Sequence, residues 1–240
     1  MRRAFGCLIV LVILLIAAWI ARDYVRKHPE DFPWTELDLT DPIGAFTGRK
    51  LAALANDPAQ CRALLNRSGS ADFAASPLIR DANCGFRDGM RLVPDGPRSV
   101  RFSPFRLVTA CPVAAALELF ERDVLQPAAL EHFGERVATI DHAGSYSCRR
   151  LYGRATGPFS EHATADAFDI LGFRLADGRR ISVLRDWSGN GPEAAFLRDV
   201  RDGACRLFST VLSPDYNAAH ANHLHLDQAE RGEMGWRGCR

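Results

Sequence analysis

The sequence has no Cys-x-x-Cys pair, no basic block interleaved with aromatics, no internal repeat and no low-complexity tract. Scattered cysteines without such a pair argue against a structural zinc knot. A formal net charge of +1 and the missing basic block argue against nucleic acid as a main partner. With no repeats to stack, the roughly 210 residues beyond the N-terminus suit one domain with a sizeable core, with or without a small N-terminal elaboration.

One long apolar run is present. Arg2 and Arg3 precede it, it extends from Ala4 to Ala21, and Arg22 and Asp23 close it. At about 1.5 Å per residue such a helix reaches about 27 Å, close to the hydrocarbon thickness of a bilayer. Ala17, Ala18 and Ala21 flank Trp19 and Ile20, which makes a poor small-x-small cleavage site. Residues 1–27 therefore read as an uncleaved signal-anchor in the cytoplasmic (inner) membrane, with Trp19 and Tyr24 near the far interface; a removed signal peptide is the alternative. Arg22, Arg26 and Lys27 nearly balance the cations before the run, so the positive-inside bias does not choose an orientation. Cysteine usage does. Cys61, Cys84, Cys111, Cys148, Cys205 and Cys239 form an even set beyond an export signal, which predicts three disulfides and a domain facing the periplasm or exterior. Their pairing is not readable from spacing.

Residues 28–48 are rich in proline and polar groups and read as a linker, leaving 49–240 as the domain. Arg49 to Leu65 is helical in character, with a restart at Asp57 and Pro58. Residues 66–106 suggest loops and short strands. Thr109 is placed as the cap of a helix starting near Pro112, whose core face is Val113, Leu117, Phe120 and Val124, and Pro127 is expected to break or kink it before a short piece ending at Phe133. Val137 to Ile140 reads as a strand. Ala167–Leu175 and Arg180–Leu184 form a hairpin around Ala176-Asp177-Gly178-Arg179. A helix is expected from Asn190 and Pro192 through Phe208, and a last strand from His223 to Asp227. Strands mixed with segregated helices indicate an α+β domain with a largely antiparallel sheet and flanking helices, preceded by one transmembrane helix.

Four of the seven histidines fall in two clusters, Ser160-Glu161-His162 through Asp169 and His220-Ala221-Asn222-His223-Leu224-His225. Side chains alternate across a strand, so His223 and His225 share one face while Leu224 and Leu226 point to the core. Ala165, Ala167 and Asp169 share a face in the same way. Two neighbouring strands would bring His162, Asp169 and His225 to one point. Two imidazoles and a carboxylate leave an open position, which is how catalytic zinc is held. His223 then stands as general base or oxyanion stabiliser, and His220 orients it or shares the proton.

The spacing Ser160-x-His162-x-x-Ala165-x-Ala167-x-Asp169 with a later His-x-His resembles the zinc peptidases of bacterial cell-wall peptides: D-Ala-D-Ala carboxypeptidases, D-Ala-D-Ala dipeptidases and penicillin-insensitive murein endopeptidases. Gly144 through Arg149, Ser160-Glu161-His162, Asp186-Trp187 and the His-Leu-His-Leu-Asp end are similar to the bacterial extensin-like C-terminal domain family over most of residues 50–240. The resemblance implies His162, Asp169 and His225 as zinc ligands, and peptidoglycan peptides with D-Ala bonds as substrates. Arg149, the best match to an arginine that binds the substrate's terminal carboxylate, and Ser160 are the substrate-side candidates. Ser160 equally suits holding the motif loop through its hydroxyl.

Two departures stand out. Ala165 occupies a position where glycine is usual, which a negative φ would accommodate. Asn222 stands where some relatives carry a catalytic glutamate, and an amide takes no proton. A non-catalytic zinc- or cell-wall-binding domain is therefore the second hypothesis, and a metal-free disulfide-bonded structural domain the third. Trp187 reads as core rather than substrate platform, Glu161 as solvated or supporting, and Asp227 as a partner of a ligand histidine or a turn cap.

Overall fold

Val137–Gly144 and Ala167–Leu175 carry the apolar density that a sheet needs, and they form its two long strands. The computed structural model describes residues 2–68, 73–74, 77–92, 100–105, 107–232 and 237–240. Its main sheet has seven strands: β1 (Arg101–Ser103), β2 (Val137–Gly144), β3 (Ala167–Leu175), β4 (Arg180–Ser182), β5 (Thr210–Leu212), β6 (Leu224–Asp227) and β7 (Gly238–Cys239). They run in the order β7-β5-β6-β3-β2-β1, with β4 also on β3. The β1/β2 and β5/β7 pairs are parallel and the other four antiparallel. Along β3, Phe168 and Ile170 enter the core while Asp169 points to the other face; Leu224 and Leu226 enter from β6. The domain is α+β, as the mixture of elements predicts.

The apolar run is one helix, α1 (Arg2–Lys27), of which Phe5–Lys27 is long and apolar enough to cross a membrane. Next come α2 (Thr47–Ala53) and α3 (Pro58–Arg67), and the Asp57 carboxylate caps α3 by accepting the Gln60 N–H at 2.9 Å. Helix α4 (Cys111–Phe120) is apolar on all sides except Glu118 because it lies inside the core. Thr109 is not its cap. That residue sits in a short strand, Val108–Ala110, and its hydroxyl donates to Ala165 O instead. Pro127 does not break the helix either. A π turn, Glu121–Leu125, widens the coil so that Gln126 N–H reaches Glu121 O, and α5 (Gln126–Phe133) starts with Pro127 in its first turn, where no donor is missed. Gln126 then exchanges two side-chain bonds with the Val137 backbone and docks α5 on β2.

A short α6 (Val183–Asp186) replaces the end of the expected second hairpin arm, and α7 (Pro192–Ala204) stops before Phe208, at the Cys205–Cys239 disulfide. The other bridges join Cys61 to Cys111 and Cys84 to Cys148, so the expected three form among the six cysteines, and Cys7 is free. Between 66 and 106 the described residues hold short strands and loops, such as Gly85–Phe86 and Gly89–Arg91; 69–72, 75–76, 93–99 and 106 lie outside them. Residues 28–48, read from composition as a linker, lie against the domain: Leu37 and Leu39 join the core and Arg122 holds the Leu39 and Asp41 carbonyls.

Candidate metal centre

Strand register builds the first half of the site. β6 pairs with β3 so that His225 lies directly opposite Asp169, and His225 Nδ1 comes within 2.9 Å of Asp169 Oδ1. The motif loop builds the second half. Ser160 caps a 3-10 turn, Glu161–Thr164, by accepting the His162 N–H, and that turn delivers His162 Nε2 to 3.1 Å from Asp169 Oδ2 and 3.2 Å from His225 Nδ1. All three side chains are buried.

The outer nitrogens of both rings are already engaged. His162 Nδ1–H donates to Ser145 O at 2.7 Å, and His225 Nε2–H donates to Asp227 Oδ2 at 3.1 Å. These bonds assign the inward nitrogens as lone-pair donors. With both rings neutral, three acceptors would face one another, and either a bound cation or a proton on an inward nitrogen resolves that. Bonds of about 2.0–2.1 Å in a tetrahedral site place ligand atoms about 3.3 Å apart, close to the three separations here. Imidazole plus carboxylate is a donor set that suits zinc, so the residues fit the metal.

Without a metal, protons serve the same end. Burial favours a neutral His225, but hydrogen bonds to Asp169 and Asp227 outweigh it and raise the ring to about 9. Burial likewise pushes the Asp169 carboxyl up, yet the bonds from His162 and His225 hold it well below the usual carboxylate range. A zinc ion held by these residues would have to displace the His225 proton. Its apparent affinity should therefore climb about tenfold per pH unit from neutrality to about pH 9, measured in metal-buffered titrations. The metal-free protein should show the opposite trend. A raised histidine stabilises fully below its unfolded value near 6.5 and loses that contribution as the pH rises through about 9.

His223 precedes β6 rather than lying within it, but it still faces the site, with Nε2 3.6 Å from Asp169 Oδ1. Its Nδ1–H donates to Asn222 Oδ1 at 2.8 Å, leaving a lone pair at Nε2. His220 is held in the same way by Asn217 Oδ1 at 2.8 Å, and its ring centroid lies 5.1 Å from that of His223. Burial, then the neighbouring His223 and His225, lowers His220 to about 4; burial lowers His223 as well. Both rings are proton acceptors at neutral pH. A cleft of about 1020 Å³ opens over them, with Arg149, Tyr152, Phe159, Tyr216 and Arg231 in its walls. Arg149 is exposed on the rim and makes no ion pair among the described residues. Ser160 also lines the cleft, although its hydroxyl is engaged with the His162 N–H. Trp187 is buried and donates to Asp215, the core position expected of it.

The support under His162 escaped the sequence reading. Ala165 has φ of +59°, not the negative value that its methyl group prefers. Its carbonyl accepts from Ala110 N at 2.8 Å and Thr109 Oγ1 at 3.0 Å, while Ser145 Oγ lies 2.9 Å from both Thr109 Oγ1 and that carbonyl. The left-handed turn is over-determined by this buried network. Ser145 then offers its own carbonyl to His162. The one sequence signal was Gly144 before Ser145: its φ of +104° lets β2 leave the sheet through a bulge opposite Asp169. Asp227, beneath His225, should behave as a supporting carboxylate. Asp227→Asn is expected to weaken zinc binding about 10- to 100-fold in a chelator competition, without unfolding the domain.

Two other groups of possible ligand atoms are Asp81 with Cys84 and Cys148, and His28 with Glu30 and Asp31. The first has no thiolate to offer because Cys84 and Cys148 are bridged. No curated protein and no solved structure matches the chain. A family described as Extensin-like protein C-terminus matches it over residues 59–240. That stretch contains the bulge at Gly144, the motif turn, the paired Asp169 and His225 and all three disulfides, and over it the chain belongs to the extensin-like protein C-terminus family.

Proposed function

We propose that the domain is an exported zinc peptidase, anchored to the cytoplasmic membrane by α1, that cuts D-Ala-containing bonds in peptidoglycan peptides. The observation that carries this reading is the convergence of His162 Nε2, Asp169 and His225 Nδ1 at 2.9–3.2 Å, with every outer ring nitrogen already bonded. The motif's likeness to the zinc D-Ala-D-Ala peptidases supports the substrate class. Three disulfides support an oxidising compartment, and the apolar α1 supports attachment to the membrane.

Zinc held by these residues would polarise a scissile carbonyl and acidify a water molecule. The chain's own groups do the rest. His223 Nε2 takes the proton of the attacking water and passes it to the leaving amine. Asn222 and Asn217 fix the tautomers of His223 and His220, so both lone pairs face the cleft. Arg149 on the rim binds the terminal carboxylate of the peptide through a two-pronged contact.

A second reading, a zinc- or cell-wall-binding module without turnover, is favoured by one observation: Asn222 supplies an amide where a glutamate would supply a base. To separate the two, the full chain is expressed in an oxidising compartment, its zinc is measured by elemental analysis, and muropeptides are offered to it. Zinc-dependent release of D-Ala or of split cross-links carries the peptidase. A chain that binds zinc or muropeptides and leaves the peptides intact carries the module, and a folded chain that takes up no zinc and binds no muropeptide overturns both.

A further inference from the structure

Residues 28–46 have the composition of a spacer but not its contacts. Lys50 Nζ donates to Pro29 O at 2.8 Å and to Thr35 Oγ1 at 2.7 Å. Ala45 N bonds Asp31 Oδ1 and Phe46 N bonds Glu30 O, closing the segment on itself. Arg122 holds the carbonyls of Leu39 and Asp41, and Arg206 holds that of Ile43. Leu39 is 1% exposed. At Gly44 a Cβ would come within 2.6 Å of the Glu30 backbone, so the two arms of the segment touch.

At its other end the segment is continuous with α1. His28 N bonds Tyr24 O at 2.9 Å, extending the last helical turn, and the rings of Tyr24, His28, Phe32 and Trp34 pack in tilted and edge-on contacts with centroids 4.6–6.1 Å apart. Within that cluster Trp34 is 72% and Tyr24 51% exposed. Arg22, Arg26 and Lys27 lie beside them at the end of the apolar helix. Exposed aromatics beside cations at the end of an apolar span suit the headgroup layer of a bilayer, where amphipathic rings and basic side chains both settle.

We infer that residues 28–46 form a rigid collar that seats the domain directly on the bilayer, with Trp34 and Tyr24 in the headgroup layer of anionic phospholipid. This rests on α1 spanning the membrane, and the test separates the two. The full chain is reconstituted in vesicles of phosphatidylcholine and phosphatidylglycerol containing lipids brominated near the headgroup, and tryptophan emission is compared for wild type, Trp34→Phe and Trp19→Phe. Both positions are exposed, so neither change threatens the fold. Wild type should be quenched, and Trp34→Phe should lose about half of that quenching. Quenching that persists in full in Trp34→Phe but disappears in Trp19→Phe would mean an inserted helix with the collar standing clear, overturning the collar alone. A wild type that no brominated lipid quenches would overturn the anchor and the collar together.

Discussion

His225→Ala should take the zinc content from about one per chain to near zero. The substitution leaves His162 Nε2 and a carboxylate of Asp169, two donors where three stood, and it frees the Asp227 carboxylate beneath. The fold should survive, because Leu224 and Leu226 on either side keep their places in the core and the disulfides lie elsewhere. Thermal unfolding supplies an independent readout. A ligand present at about a thousand times its dissociation constant stabilises the native state by about 4 kcal/mol, so added zinc should raise the wild-type midpoint and leave that of His225→Ala unmoved. Equal zinc in the two proteins would remove the metal centre from consideration.

His223→Ala should behave differently, keeping its zinc and losing turnover. Its ring lies on the open side of the site, 3.6 Å from Asp169, outside the group of three that could share one ion. Loss of a positioned base costs about 10²–10⁴ in rate, so muropeptide cleavage should fall by that factor at constant zinc content. The pH profile adds a check. Burial keeps the His223 ring neutral further into acid than a free histidine, so wild-type activity should persist below the ordinary histidine range, and any residual activity of His223→Ala should lack that limb. Unchanged cleavage in His223→Ala would transfer the base to another group or end the proposed chemistry.

Much of this centre was legible in the chain. His162 and Asp169 lie within one short motif, and His225 sits in a strand whose alternation fixes its facing, so three local facts sufficed. The residues that hold these three side chains in place were harder to see. Thr109 looked like a helix cap because threonine before Pro112 usually is one, but a carbonyl 56 residues away competes for its hydroxyl. Ser145 meets His162 through its backbone carbonyl, a contact that leaves no mark on side-chain pattern. Ala165 adopts a glycine-like φ that only its tertiary hydrogen bonds make tolerable. Two short strands, β5 and β7, were missed because two or three residues carry too little periodicity to register. Pro127 suggested a break since its cost in an ordinary helix is high, and a single wide turn removes that cost. In residues 28–48 Pro29, Pro33, Pro42 and Gly44 among polar residues suggested a spacer, while the arginines that hold the segment lie far along the chain.

The far wall of the cleft belongs to β7, a strand of only two residues, and Gly238 and Cys239 line the opening there. Gly238 N and Arg240 N donate to Ser209 O and Val211 O and keep so short a strand in register, and Cys205 at the end of α7 adds a covalent tie to Cys239. The bridge thus ties the edge of the cleft to the end of α7, so that one covalent link joins a wall of the opening to a helix packed in the core.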